Sequence, residues 1–120
     1  MAGSAEGLRG LFPTNVNPIM EDHMPTFVLS LDYTDQGIRG IKDALKRRQA
    51  SKELAKKLGV EVKQIYLTSG EHDLLLIVES SSGENVAKFA LATGALGNVR
   101  TTTSRAWSES EFEKLISELP

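Results

Sequence analysis

The chain has 120 residues, 40% of them apolar and 25% charged, with a net charge of −2. That is enough for one globular domain with one modest core, and it is not the composition of a disordered chain. Cysteine is absent, which excludes disulfides, thiolate metal sites and cysteine nucleophiles and fits a reducing, cytoplasmic setting.

Residues 1–23 hold Gly3, Gly7, Gly10, Pro13 and Pro18 and no sustained hydrophobic period. They also lack the basic start and apolar block of a signal peptide. The expectation is a disordered leader or an over-long start, with residues 24–120 as the single domain. Removing the one basic and three acidic residues of this stretch from the 14 and 16 of the whole chain leaves thirteen of each, a neutral domain. No apolar run approaches the ~20 residues that span a membrane as a helix.

In residues 27–33, Phe27, Leu29, Leu31 and Tyr33 alternate with Ser30 and Asp32, which predicts a strand. Thr34 or Asp35 can cap a following helix. That helix runs from Gln36 to Leu58, with Gly59 suited to the left-handed C′ position. Its apolar stripe slips: Ile38, Ile41 and Leu45 share one face, and Leu54, Ala55 and Leu58 another ~120° away at ~100° per residue. A straight helix cannot bury both, so a kink or break is predicted near 45–48. Residues 60–67 and 74–79 are the central strands, joined by Thr68-Ser69-Gly70-Glu71-His72-Asp73. The apolar run Leu74-Leu75-Leu76-Ile77-Val78 predicts burial on both faces of the second. After the turn Ser80-Ser81-Ser82-Gly83, residues 84–93 form a helix with Val86, Phe89 and Ala90 inward. Residues 98–106 make the last strand. Ser108-Glu109-Ser110-Glu111 is a capping box that opens a C-terminal helix expected to bury Phe112, Leu115, Ile116 and Leu119.

The order β-α-β-β-α-β plus a terminal helix specifies an α+β fold, the ferredoxin-like split β-α-β plait with a four-stranded antiparallel sheet. Its helices cover one face only. A second copy is the economical cover for the other, so the expectation is a homodimer or higher homo-oligomer of the dimeric α+β barrel type.

Several segments carry a resemblance: Met24-Pro25-Thr26-Phe27-Val28-Leu29, Asp32-Tyr33-Thr34-Asp35-Gln36-Gly37-Ile38-Arg39, Leu54-Ala55-Lys56-Lys57-Leu58-Gly59 and Ile65-Tyr66-Leu67-Thr68-Ser69-Gly70. Ala87-Lys88-Phe89-Ala90-Leu91 and Gly97-Asn98-Val99-Arg100-Thr101-Thr102-Thr103 continue it. Together they resemble the bacterial and archaeal GYD domain family from about Met24 to Ile116. The resemblance implies the fold and a start near Met24, and no particular activity. Two departures stand out. The tyrosine that precedes the aspartate in the family is His72 here, and Leu45 stands where members tend to have proline.

The candidate ligand-binding residues are Asp32, Tyr33, Tyr66, His72, Asp73, Arg100, Thr102 and Trp107. His72-Asp73 could supply a general base, since imidazole titrates near neutrality, although a hairpin aspartate more commonly serves turn amides. Arg100, Thr102 and Ser104 share one face of the last strand, with Thr101, Thr103 and Arg105 on the other. Whichever set faces the helices could line a pocket, against the plainer reading that threonines favour strands. Eight basic residues fall between Arg39 and Lys57. They could grip phosphate, yet no phosphate loop or interleaved aromatic accompanies them. A solvated face partly paired with Glu109, Glu111, Glu113 and Glu118 is the simpler reading.

No metal-ligand spacing, G-x-S-x-G or P-loop occurs, so no catalytic residue, metal or cofactor is expected. The leading reading is a binding or accessory module, with a small-molecule ligand compatible with it and nucleic acid and membrane disfavoured. A cofactor-independent enzyme of the monooxygenase or isomerase kind is the alternative, by analogy of fold. It would need a closed pocket walled by Tyr33, Tyr66, Phe89 and Trp107, with His72, Asp32 or Arg100 reaching in. An anion or nucleic-acid binder using Arg47, Arg48 and Lys52 is the third.

Overall fold

A computed structural model describes residues 24–120; the expectations for residues 1–23 lie outside the described residues. The elements are β1 (Thr26–Tyr33), α1 (Asp35–Arg39), a 3-10 turn (Ile41–Asp43), α2 (Ala44–Lys57), β2 (Val60–Leu67), β3 (Leu74–Ser80), α3 (Gly83–Ala95), β4 (Val99–Ala106) and α4 (Glu109–Ser117). The four strands form one sheet in the order β2-β3-β1-β4, with every neighbouring pair antiparallel. This is the ferredoxin-like plait that the element order specifies.

Strand alternation decides the two faces. Phe27, Leu29 and Leu31 pair with Val78, Leu76 and Leu74, and these side chains meet Ala55 of α2 and Val86 and Phe89 of α3 in the core. The opposite face carries Val28, Ser30 and Asp32 beside Ile77, Leu75, Thr102 and Arg100. Leu75 and Ile77 are half-buried there, where simple alternation would leave them bare. In β2 the register slips between Val62 and Gln64. The extra residue of this bulge returns Ile65, rather than Gln64, to the helix side.

Two expectations are corrected. The break in the first helical stretch falls at residues 40–43, not 45–48. Gly40 ends α1, its N–H donating to Gln36 and Ile38 carbonyls, because glycine is the weakest helix former available there. The Arg47 guanidinium then reaches back to the carbonyls of Gly40 (2.6 Å) and Gly37 (3.1 Å) and satisfies acceptors that the broken helix leaves free.

The second correction concerns α4. Its capping box forms as expected: Ser108 Oγ accepts from the Glu111 N–H (3.1 Å) and Glu111 Oε1 from the Ser108 N–H (2.7 Å). However, none of its residues is buried, and Phe112, Leu115, Ile116 and Leu119 are all exposed. Among the described residues, no element packs substantially against it. The Ser108 backbone hydrogen bond holds the Glu111 carboxyl below its ordinary range, helped by the Ser108 hydroxyl and Arg105 and opposed by slight desolvation. A depressed carboxyl stabilises the fold above its unfolded value and loses that contribution as pH falls through the lowered one. Helicity of α4, followed by circular dichroism, should therefore decline on acidification through the acidic range. Ser108→Ala should weaken the helix by about 1 kcal/mol.

Candidate functional site

The gap between the two long helices makes a cleft. α2 packs mainly on the edge strand β2, whereas α3 leans toward β4, so the central strands are incompletely roofed near the end of β1. The result is an open cavity of about 170 Å³. Leu31, Leu74 and Leu76 of the central strands line it, with Ile65, Leu54 and Val99 contributing further apolar wall. Its polar groups are few: Tyr33, Ser51, Thr93 and Asn98, with Arg47 and Arg48 from α2. Thr93 Oγ1 is buried and, among the described residues, has no hydrogen-bond partner, an uncommon condition for a buried hydroxyl.

The cleft is anchored by the junction of β1, α1 and the loop before β4. The Thr34 N–H donates to the Asn98 carbonyl (3.1 Å) and its hydroxyl to the Gly97 carbonyl (2.5 Å), while accepting from the Gly37 N–H (3.1 Å). The Gln36 amide donates to the Leu96 carbonyl and to Asn98 Oδ1. Gly37 lies so close to this loop that a Cβ would stand 2.0 Å from the Asn98 carbonyl oxygen.

The expected residues do not gather in one place. Tyr33 lines the cleft. Asp32, Arg100, Thr102 and Tyr66 occupy the opposite face, Arg100 across from Asp32 and Tyr66 across from Leu75. His72 Nδ1 lies 3.2 Å from both carboxylate oxygens of Asp32, so the carboxylate fixes the imidazole. Asp73 serves the backbone: its Oδ2 accepts from the Tyr33 N–H (2.9 Å) and its own N–H donates to the Leu31 carbonyl. Trp107 lies beyond β4, 4.7 Å beneath the Arg105 guanidinium. Phe89 is core. A single pocket walled by Tyr33, Tyr66, Phe89 and Trp107 and served by His72, Asp32 or Arg100 does not form, because strand alternation sends these groups to different faces.

The basic stretch is corrected as well. Among the described residues, no ion pair joins it to the glutamates of α4; the pairs found are Lys63–Glu61 and His72–Asp32. Among the same residues, no three metal-ligating side chains cluster, and no helix is long and apolar enough to cross a membrane. Thr93 and Asn98 escaped the sequence reading. The available signal was a lone β-branched hydroxyl in the otherwise apolar tail Leu91-Ala92-Thr93-Gly94-Ala95-Leu96.

The sheet order and its helices define a ferredoxin-like α+β domain. The GYD domain profile matches residues 27–116, and the chain belongs to that family. Solved structures share the fold at low identity. MtbAldR of Mycobacterium tuberculosis is 17% identical, with 86% of this chain and 65% of that one covered and a TM-score of 0.56. A feast-or-famine regulatory protein from M. tuberculosis, complexed with L-methionine, is 18% identical, with 89% and 69% covered and a TM-score of 0.53. A transcriptional regulator from Neisseria meningitidis, also in complex with L-methionine, is 20% identical, with 86% and 62% covered and a TM-score of 0.54. The chain thus spans between 62% and 69% of the length of these proteins. No curated protein matches it.

Proposed function

We propose that residues 24–120 form a non-enzymatic, cytoplasmic, homo-oligomeric binding or accessory module whose copies are joined through α4. The observation that carries this reading is the unpartnered apolar side of that helix. A helix of nine residues is shorter than the ~12–15 at which isolated helices become even marginal in water. Its capping box helps, but its exposed Phe112, Leu115, Ile116 and Leu119 call for a surface.

The matching surface lies at the far end of the sheet. α4 leaves β4 where Ala106 pairs with Thr26, whereas α1 begins where Tyr33 pairs with Val99. A strand of eight residues separates these ends by roughly 25 Å. Along α1, the 3-10 turn and the start of α2, Ile38, Ile41 and Leu45 are exposed among Arg39, Lys42 and Lys46, with Asp35 and Asp43 the acidic residues of the same stretch. The α4 segment carries Glu109, Glu111, Glu113 and Glu118 against Lys114. Two copies in antiparallel arrangement bring each acidic helix to the other's basic, apolar patch, a closed pairing with two equivalent contacts. L-Methionine in two similar structures adds a reason to look for small-molecule binding. Among the described residues, the imidazole of His72 is held by Asp32 on the face of the sheet opposite the cleft.

Light scattering of the full chain at about 50 µM should give a dimer or larger closed oligomer. Phe112→Glu with Ile116→Glu should yield monomers. Lys42→Glu with Lys46→Glu should weaken assembly about tenfold, the scale of two exposed ion pairs, and Glu113→Lys should restore part of it. A monomeric parent protein at this concentration overturns the reading, as does assembly indifferent to the α4 substitutions.

A further inference from the structure

We propose that the cleft between α2, α3 and the sheet is a binding site for a small apolar monocarboxylate, of the size of an arylacetate. The inference goes beyond the assembly just described and does not depend on it. Size comes first. A dry cavity of about 150 Å³ accommodates benzene, and this cleft measures about 170 Å³. It therefore holds one ring or a branched chain of similar bulk, with any further group at its mouth.

Chemistry narrows the class. The floor is the apolar set Leu31, Leu74 and Leu76, with Leu54 and Ile65 beside it. Such a wall favours an apolar body and offers no reward for a polyol or nucleotide. The ionic groups of the lining are the guanidiniums of Arg47 and Arg48; it includes no aspartate or glutamate. Arg47 is engaged with the Gly37 and Gly40 carbonyls. Arg48 is exposed and has no hydrogen-bond or ion-pair partner among the described residues, which leaves its planar fork for a carboxylate at the mouth. An amino acid would also bring an ammonium, for which the lining holds no counter-charge. The unpartnered Thr93 hydroxyl supplies the second, independent sign. A buried hydroxyl without a partner is stabilised when a ligand atom, or a water carried with it, completes its hydrogen bond.

The test uses the full-length protein and phenylacetate as probe, with benzyl alcohol as the neutral comparison and L-phenylalanine as the zwitterionic one. Amide and methyl NMR shifts report binding, and light scattering of the same samples reports assembly. The expected result is saturable, fast-exchange binding of phenylacetate that shifts resonances of Leu54, Leu76 and Thr93. Benzyl alcohol and L-phenylalanine should bind about fivefold or more weakly, the worth of one exposed ion pair. Arg48→Gln, a surface change that the fold tolerates, should erase the preference for phenylacetate over benzyl alcohol while leaving the latter's affinity unchanged. Leu54→Trp should fill the cleft and abolish binding of all three. Absence of saturable phenylacetate binding overturns the proposal. So does L-phenylalanine binding as tightly as phenylacetate, or a preference that survives Arg48→Gln. Because assembly is read separately, loss of the oligomer with intact binding would sink the previous reading and leave this one standing.

Discussion

Gly37→Ala is expected to lower the thermal midpoint by roughly 12–24 °C, out of proportion to the one methyl added. The new Cβ would stand 2.0 Å from the Asn98 carbonyl oxygen and 2.9 Å from its carbon, and backbone atoms cannot swing aside as a side-chain tip can. The junction must open instead. That strains the Thr34 N–H bond to the same carbonyl, the Thr34 hydroxyl bond to Gly97 and the Gln36 bonds to Leu96 and Asn98. Overpacking of this kind costs about 3 kcal/mol, and each kcal/mol moves the midpoint of a domain this small by roughly 4–8 °C. Gly94→Ala is the control. Nothing lies within 4 Å of its added Cβ, and it sits inside α3, so it should be neutral or stabilise by up to about 1 kcal/mol. If Gly37→Ala melts with the parent protein in differential scanning calorimetry, the close approach is not a constraint on this fold.

Phe89→Ala should be the most damaging single truncation. Phe89 is the largest of the fully buried side chains, 1% exposed, and packs among Leu29, Val78 and Val86. Emptying such a site costs about 3–5 kcal/mol, against a total stability of about 5–15 kcal/mol for a domain of ordinary size. The urea midpoint should fall by a large fraction, with little change in the slope of the transition. Leu91→Ala, two residues on in the same helix but 74% exposed, should shift it by no more than about 0.5 kcal/mol. Comparable losses at both positions would mean that α3 does not seat Phe89 as described.

What could be read from the chain, and what could not, follows from the range of each interaction. The alternation of Phe27, Leu29, Leu31 and Tyr33 is local, and the strand and its buried face follow directly. The slip in the hydrophobic stripe after Leu45 is also local and required an interruption. Its position, however, depended on Gly40 and on Arg47 reaching back across the break, an interaction between turns that periodicity does not carry. The bulge in β2 had a visible cue, since strict alternation from Val60 and Val62 would have turned Gln64 inward and Ile65 out. α4 is the instructive case. Amphipathicity establishes that a helix has a side needing cover, and says nothing about which molecule provides it. The cleft was less accessible still. It arises because α2 sits over an edge strand while α3 leans the other way, so Leu54 and Thr93 face one space from positions 39 residues apart in sequence. No short motif encodes that spacing. His72 and Asp32 meet for a similar reason, across 40 residues, and neighbouring Asp73, which the sequence offered as a catalytic partner or, more commonly, as a server of backbone amides, takes the second role at the end of β1.

The bulge in β2 has a bearing on how far association can go. The two margins of the sheet are unlike: β4 is regular along all eight residues, whereas β2 carries a misaligned step at its middle with Lys63 beside it. A kinked, charged margin is a poor template for an incoming chain. Of the two margins, β4 is therefore the better template for an added strand, and β2 guards the domain against edge-to-edge growth in both directions.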